Sequence, residues 1–285
     1  MSLKVAIVSR DAAVRAAAAE AFTGAPPEWS VQLCEEAPAV ADVVLHGPDA
    51  AVEGATVFDP ANPDDALRAV EAAATSGRVY AVAAAAGGAG ATSIALHLAA
   101  ALGGRTCYAE LCDASARLGL PEDARTWLPR DRDCEPSALP VAGGFRVLRS
   151  PGPCPEPAAF PLDAAGRSFD HVVLDAGTRR DLGCVVSRAA VAVVVTPPTR
   201  PAALAARSLV ETFPEARWAV VVNRLGPGGQ IMRAGLESLL GRRVTVELPC
   251  CPALRDAEDQ SRLLNGSWRR WTRGVTRLAA ALQAC

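Results

Sequence analysis

Short apolar runs alternate with stretches of helical period along this chain, and the alternation predicts its elements. Residues 3–9, 31–34, 41–45 and 55–58 read as strands, with alanine-rich helices over 12–22 and 63–74. A second series follows. Strands are expected at 78–83, from 106 onward, and at 145–148, 168–177, 190–196, 218–224 and 244–249, with helices over 92–102 and 201–212 and an amphipathic segment at the C-terminal end. Strand–helix alternation implies mostly parallel sheets covered by helices. The expected architecture is therefore α/β: a small unit over 1–76, then a doubly wound, mostly parallel sheet over 77–285.

Candidate chemistry concentrates between the strand at 78–83 and the helix at 92–102, in Ala85, Ala86, Gly87, Gly88, Ala89, Gly90, Ala91, Thr92 and Ser93. Strand, glycine-rich turn and helix is the layout of a phosphate-binding loop. Glycines let the backbone take conformations closed to other residues and bring several N–H groups close to a phosphate. Against G-x-x-x-x-G-K-[ST], Ala85 stands at the first glycine, Gly90 at the second, Ala91 at the lysine and Thr92 at the magnesium-binding hydroxyl. From these residues alone the segment is either a degenerate phosphate loop or an Ala/Gly turn in an alanine-rich chain.

The downstream strands add to the pattern. Phe169-Asp170-His171-Val172-Val173-Leu174-Asp175 brings an aspartate to a strand's C-terminal end, where open α/β sheets bind ligands. The next strand ends in Thr196-Pro197, the one after it in Asn223-Arg224, and the last in Pro249. With the loop, this series resembles the MinD/ParA superfamily of P-loop ATPases, whose deviant loop is K-G-G-x-G-K-[ST]. Both lysines of that loop are alanine here, Ala86 and Ala91. The resemblance implies a MinD-like P-loop fold that binds ATP or ADP with Mg²⁺. It puts Gly87, Gly88, Ala89, Gly90, Ala91, Thr92 and Ser93 around the phosphates, Thr92 and Asp175 at the metal, and Asn223, Arg224 and Pro249 by the base. The superfamily's D-x-D strand maps onto residues 106–120, with its first aspartate at Leu111 and its second, a water-positioning residue, at Asp113. As a residue alone, Asp113 reads equally as a strand-end acid capping a turn.

Hydrogen bonds to charged groups contribute about 1.5–3 kcal/mol, so loss of the loop lysine weakens nucleotide binding roughly tenfold to a hundredfold. In relatives the extra lysine reaches across a homodimer like an arginine finger, a contribution on the order of 10³–10⁵ in rate. Hydrolysis is accordingly expected to be slow or absent. The other reading is an active ATP-driven monomer–dimer switch recruited to the membrane.

The 1–76 unit resembles a truncated response-regulator receiver, but Ser9-Arg10-Asp11 keeps at most one acid of the usual pair and His46-Gly47 stands at the acceptor position. Phosphotransfer is not expected, and Asp49 and Asp59 read as turn-forming acids. A receiver-like unit before a MinD-type unit with this loop resembles the CpaE/TadZ family and its septum-site-determining relatives. That implies a spatial regulator or scaffold whose partners are proteins of a pilus, secretion or division machinery.

Charge and cysteine usage narrow the picture. The 29 basic and 31 acidic residues leave a net charge of −2, so no global field draws the chain to nucleic acid. Nine cysteines without zinc-ligand spacing imply reduced thiols and no transition metal, and Met1-Ser2-Leu3-Lys4 leads straight into a strand, so a cytoplasmic location is expected. The lone His97 on the loop helix reads as packed. Residues 123–157 read as a surface excursion. Near the C-terminal end Trp268, Trp271, Val275, Leu278 and Leu282 share one helical face, with Arg269, Arg270, Arg273 and Arg277 elsewhere. This is either an interfacial helix touching the inner face of the plasma membrane or the last helix docked on the sheet. Gly274, mid-segment, weakens a helix of either kind.

Overall fold

The computed structural model describes residues 3–27, 29–38, 41, 43–52, 55–75, 77–111, 139–148, 162–179, 182–225, 231–260, 262–263 and 268–285. The chain divides into two compact units, Met1–Ser76 and Gly77–Cys285.

In the first unit, β1 (Leu3–Val8), β2 (Trp29–Cys34), β3 (Val43–His46) and β4 (Thr56–Val57) form a parallel sheet in the order β2-β1-β3-β4. Helices α1 (Ala12–Ala21) and α2 (Pro63–Thr75) contribute Val14, Ala18, Ala66 and Val70 to one core with Val5, Ile7, Leu45 and Phe58. Asp11 starts α1 by accepting from Ala13 N–H at 2.8 Å, a cap worth about 1 kcal/mol. Asp49 is more than a turn former. It accepts from Ser9 Oγ at 2.6 Å, from Arg10 N–H at 2.6 Å and from Asp11 N–H at 3.0 Å, tying the loop after β3 to the loop after β1. These bonds, the Ser9 hydroxyl foremost, hold its carboxyl below the ordinary value. Asp59 does behave as a turn acid, accepting from Ala61 N–H at 2.9 Å.

The second unit runs β5 (Arg78–Ala84), α3 (Ala91–Leu102), β6 (Thr106–Glu110), β7 (Val141–Ala142), β8 (Phe145–Leu148), α4 (Leu162–Ser168), β9 (His171–Gly177), α5 (Gly183–Val186) and β10 (Val191–Thr196). It continues with α6 (Arg200–Thr212), β11 (Trp218–Leu225), α7 (Arg233–Leu240), β12 (Val246–Pro249), α8 (Ala253–Asp259) and α9 (Arg269–Gln283). Its sheet has the order β12-β11-β10-β5-β9-β6-β8-β7, parallel except for β7 against β8. The strands are apolar on both faces, as a doubly covered sheet requires. Val79, Ala81, Leu174 and Val194 meet Leu162, Val185, Ala206 and Leu236 on one side. Tyr80, Val82, Val173 and Val193 meet Ile94 and Leu98 of α3 and Trp271 and Leu278 of α9 on the other.

Of the two readings of the C-terminal helix, that second layer favours docking on the sheet. Helix α9 packs on α3 and β12, and Trp271, Val275, Leu278 and Leu282 are all buried there. Only Trp268, 41 % exposed, remains at the surface, beside the exposed Arg269, Arg270, Arg273 and Arg277. Lifting the helix would expose Val275, Leu278 and Leu282 at about 1.5–3 kcal/mol each, so its apolar face is not available to lipid. Gly274 has a packing role rather than a weakening one: a Cβ there would stand 2.4 Å from Leu248 Cδ2. Among the described residues no helix is long and apolar enough to cross a membrane.

Candidate functional site

Strand β5 lies mid-sheet, and the order reverses around it. The chain leaves β5 through α3 to β6 on one side, then later crosses to β10 on the other. Such a switch point opens a crevice at the strands' C-terminal ends. The segment after Ala84 fills that position. Ala85 N–H bonds Val195 O at 3.1 Å, Ala89 N–H bonds Ala86 O at 3.3 Å, and Ile94 N–H closes the first helical turn on Gly90 O at 3.0 Å. Gly88 at φ +71 and Gly90 at φ +94 take conformations that side chains rarely adopt. Gly87 and Gly88 are exposed. The first-turn N–H groups of α3 and its dipole therefore favour an anion here.

No cation of the loop itself joins them. Ala91, at the lysine position and the first residue of α3, is 5 % exposed and packs in the core, while Ala86 is half-buried. Thr92 is half-buried in the first turn of α3. Ser93 is buried and donates its hydroxyl to the Glu258 carboxylate, linking α3 to α8. His97 is packed: Nδ1 lies 2.8 Å from Ser93 O, its ring meets Trp271 edge-on at 4.7 Å, and burial pushes its pKa down.

Asp175, two residues before the end of β9, is fully buried and accepts from Tyr108 Oη at 2.9 Å and Gly177 N–H at 3.0 Å. Directly opposite in register stands Glu110, the last residue of β6 and also buried. The sequence pattern did not single it out: the D-x-D alignment puts its first position at Leu111, where no acid stands, and its second at Asp113. Leu111 packs in the opposite core layer from Tyr108, and Asp113 lies outside the described residues, as does most of 123–157 apart from 139–148. The available signal was an acid closing an apolar strand, the same cue that marked Asp175. The oxygen donors of Thr92 and Asp175 suit a hard cation such as Mg²⁺.

Across β10, Asn223 is 3 % exposed and donates Nδ2 to Ala89 O at 2.8 Å. Arg224 follows at φ +70, the sole non-glycine positive φ among the described residues, at a cost of about 1–2 kcal/mol. It sits where β11 slips register between Val222 and Leu225. Pro249 pairs with Leu225 at the end of β12, three strand spacings or about 14 Å from β5. Asn223 thus joins the loop, whereas Arg224 is exposed and Pro249 borders the site laterally.

No family model and no curated protein matches the sequence, but solved structures share the fold. The ParA family ATPase of Chlorobium tepidum TLS superposes with a TM-score of 0.59 at 19 % identity, over 72 % of this chain and 98 % of that one. The MinC:MinD cell division complex of Aquifex aeolicus gives 0.61 at 17 %, over 73 % and 96 %. MinD of Pyrococcus horikoshii OT3, complexed with Mg-ADP, gives 0.60 at 15 %, over 72 % and 95 %. The chain therefore has a MinD/ParA-type fold.

Proposed function

We propose that the 77–285 unit binds ATP or ADP with Mg²⁺ weakly, and that the protein is a MinD/CpaE-like scaffold placing a pilus, secretion or division assembly. Hydrolysis is slow or absent in this reading. The observation that carries it is the loop at 85–90: glycines in left-handed conformations lead into the open N-terminus of α3 while alanine stands at both lysine positions. Thr92 and Asp175 would hold Mg²⁺, which neutralises phosphate charge when bound. Arg224 and Pro249 border the base, and Asp113 positions water. The fold neighbours support the direction, since a MinD binds Mg-ADP and another occurs in complex with MinC. The receiver-like 1–76 unit serves protein contact without phosphotransfer, because the Asp49 carboxylate is already engaged by Ser9, Arg10 and Asp11.

Titration with a fluorescent ATP analogue and Mg²⁺, with phosphate release followed in the same samples, tests the proposal. Binding that is lost in Thr92→Ala and Asp175→Asn, without turnover, is the expected result. Dimer-dependent turnover would replace it with the switch ATPase, and absence of binding would refute the nucleotide reading.

A further inference from the structure

We propose that Asn223 is a positioning residue that holds the phosphate loop in its binding shape before any nucleotide arrives. Three independent features of the fold converge on this contact. Asn223 is almost wholly buried, yet its amide reaches over the end of β10 to donate to Ala89 O at 2.8 Å, on a different strand connection 134 residues away in sequence. Strand β11 carries an extra residue between Val222 and Leu225, with Arg224 in a left-handed conformation unfavourable for a side chain. Bulges of this kind re-aim a neighbouring side chain, and strain retained at one position implies that its surroundings enforce it. On the loop side, Gly90 comes so close that a Cβ would stand 2.5 Å from Asn223 Nδ2. The absent side chain at position 90 is thus what admits the amide.

The contact matters because this loop lacks its own cations. A glycine-rich loop has much backbone freedom to lose on binding, and a protein that fixes the loop in advance spares the ligand that cost. Asn223 supplies the fixing by a neutral hydrogen bond from outside the loop.

The test uses the full-length protein without ligand. In Asn223→Ala, amide hydrogen exchange at residues 87–91 should accelerate about five- to tenfold, the worth of one buried hydrogen bond. Exchange of core amides in β5 and β10 should stay unchanged. If Asn223→Ala also loosens the core, Asn223→Asp, of the same shape but without the donor when ionised, replaces it. Unchanged loop exchange in a variant with an intact core overturns the proposal. A second readout rests on the nucleotide-binding reading: ADP and GDP should weaken by the same factor, whereas loss confined to one base would make Asn223 a base reader and overturn the positioning role. If the wild type binds no nucleotide, the exchange result still decides the brace on its own.

Discussion

Gly274→Ala separates a docked α9 from a detachable one. The new Cβ would sit 2.4 Å from Leu248 Cδ2, whose residue is fully buried between α9 and the sheet. Ordinary carbon contacts are about 3.5–4.0 Å, so the buried Leu248 side chain, or the helix over it, must give by about 1 Å in a close-packed layer. Overpacking of that size costs about 2–3 kcal/mol. Alanine returns about 1 kcal/mol through helix propensity, leaving a net loss of about 1–2 kcal/mol, or a Tm lower by about 2–8 °C for a unit of this size. Denaturant or thermal unfolding followed by circular dichroism reads this directly. Leu248→Val removes the opposing methyl and costs about 1 kcal/mol alone; in the double variant the two losses should fall short of their sum by at least about 0.5 kcal/mol. A Gly274→Ala protein stabilised by about 1 kcal/mol, with additive behaviour in the pair, would refute the docking and return α9 to the surface.

Other expectations follow from the same geometry. Ala91→Lys should tighten ATP binding by roughly tenfold or more, measured by titration; no gain would mean that burial at 91 keeps the ammonium from the phosphates. Asp49 should titrate below its ordinary value of 3.8 by NMR, and Ser9→Ala should raise it. Because its folded value is depressed, the loop tie it makes contributes at neutral pH and is lost as pH falls through that lowered value. His97, also depressed by burial, binds its proton more readily when unfolded, so stability should fall as pH drops below 6.5. His97→Gln should reduce that slope in denaturant titrations between about pH 5 and 6.5.

Strand runs and the glycine loop were legible because both depend on local pattern: period, β-branching and turn chemistry. What escaped depends on neighbours distant in sequence. Glu110 did not stand out because register, set only when β6 meets β9, decides which residue faces Asp175. The bond from Asn223 to Ala89 was not legible because nothing in Val-Val-Asn-Arg announces the register shift in β11 beside it. The tryptophan-and-arginine helix left interfacial and docked readings both open because amphipathicity identifies an apolar stripe without naming what covers it; α3 and β12 do. Gly274 likewise looked like a flaw until Leu248 was placed against it.

The strand order bears on how the chain reaches this state during synthesis. Strand β5 has as its partners β9 and β10, which emerge roughly a hundred residues later, while β6, emerging soon after β5, is kept one strand away from it by β9. The middle of the sheet is therefore completed late, by β9 entering between β5 and β6 and then by β10 pairing on the other side of β5. Until β10 and β11 have joined, the glycine loop has neither Val195 nor Asn223 to lean on, so a ribosome-bound chain stalled before residue 191 should be protease-sensitive at the loop.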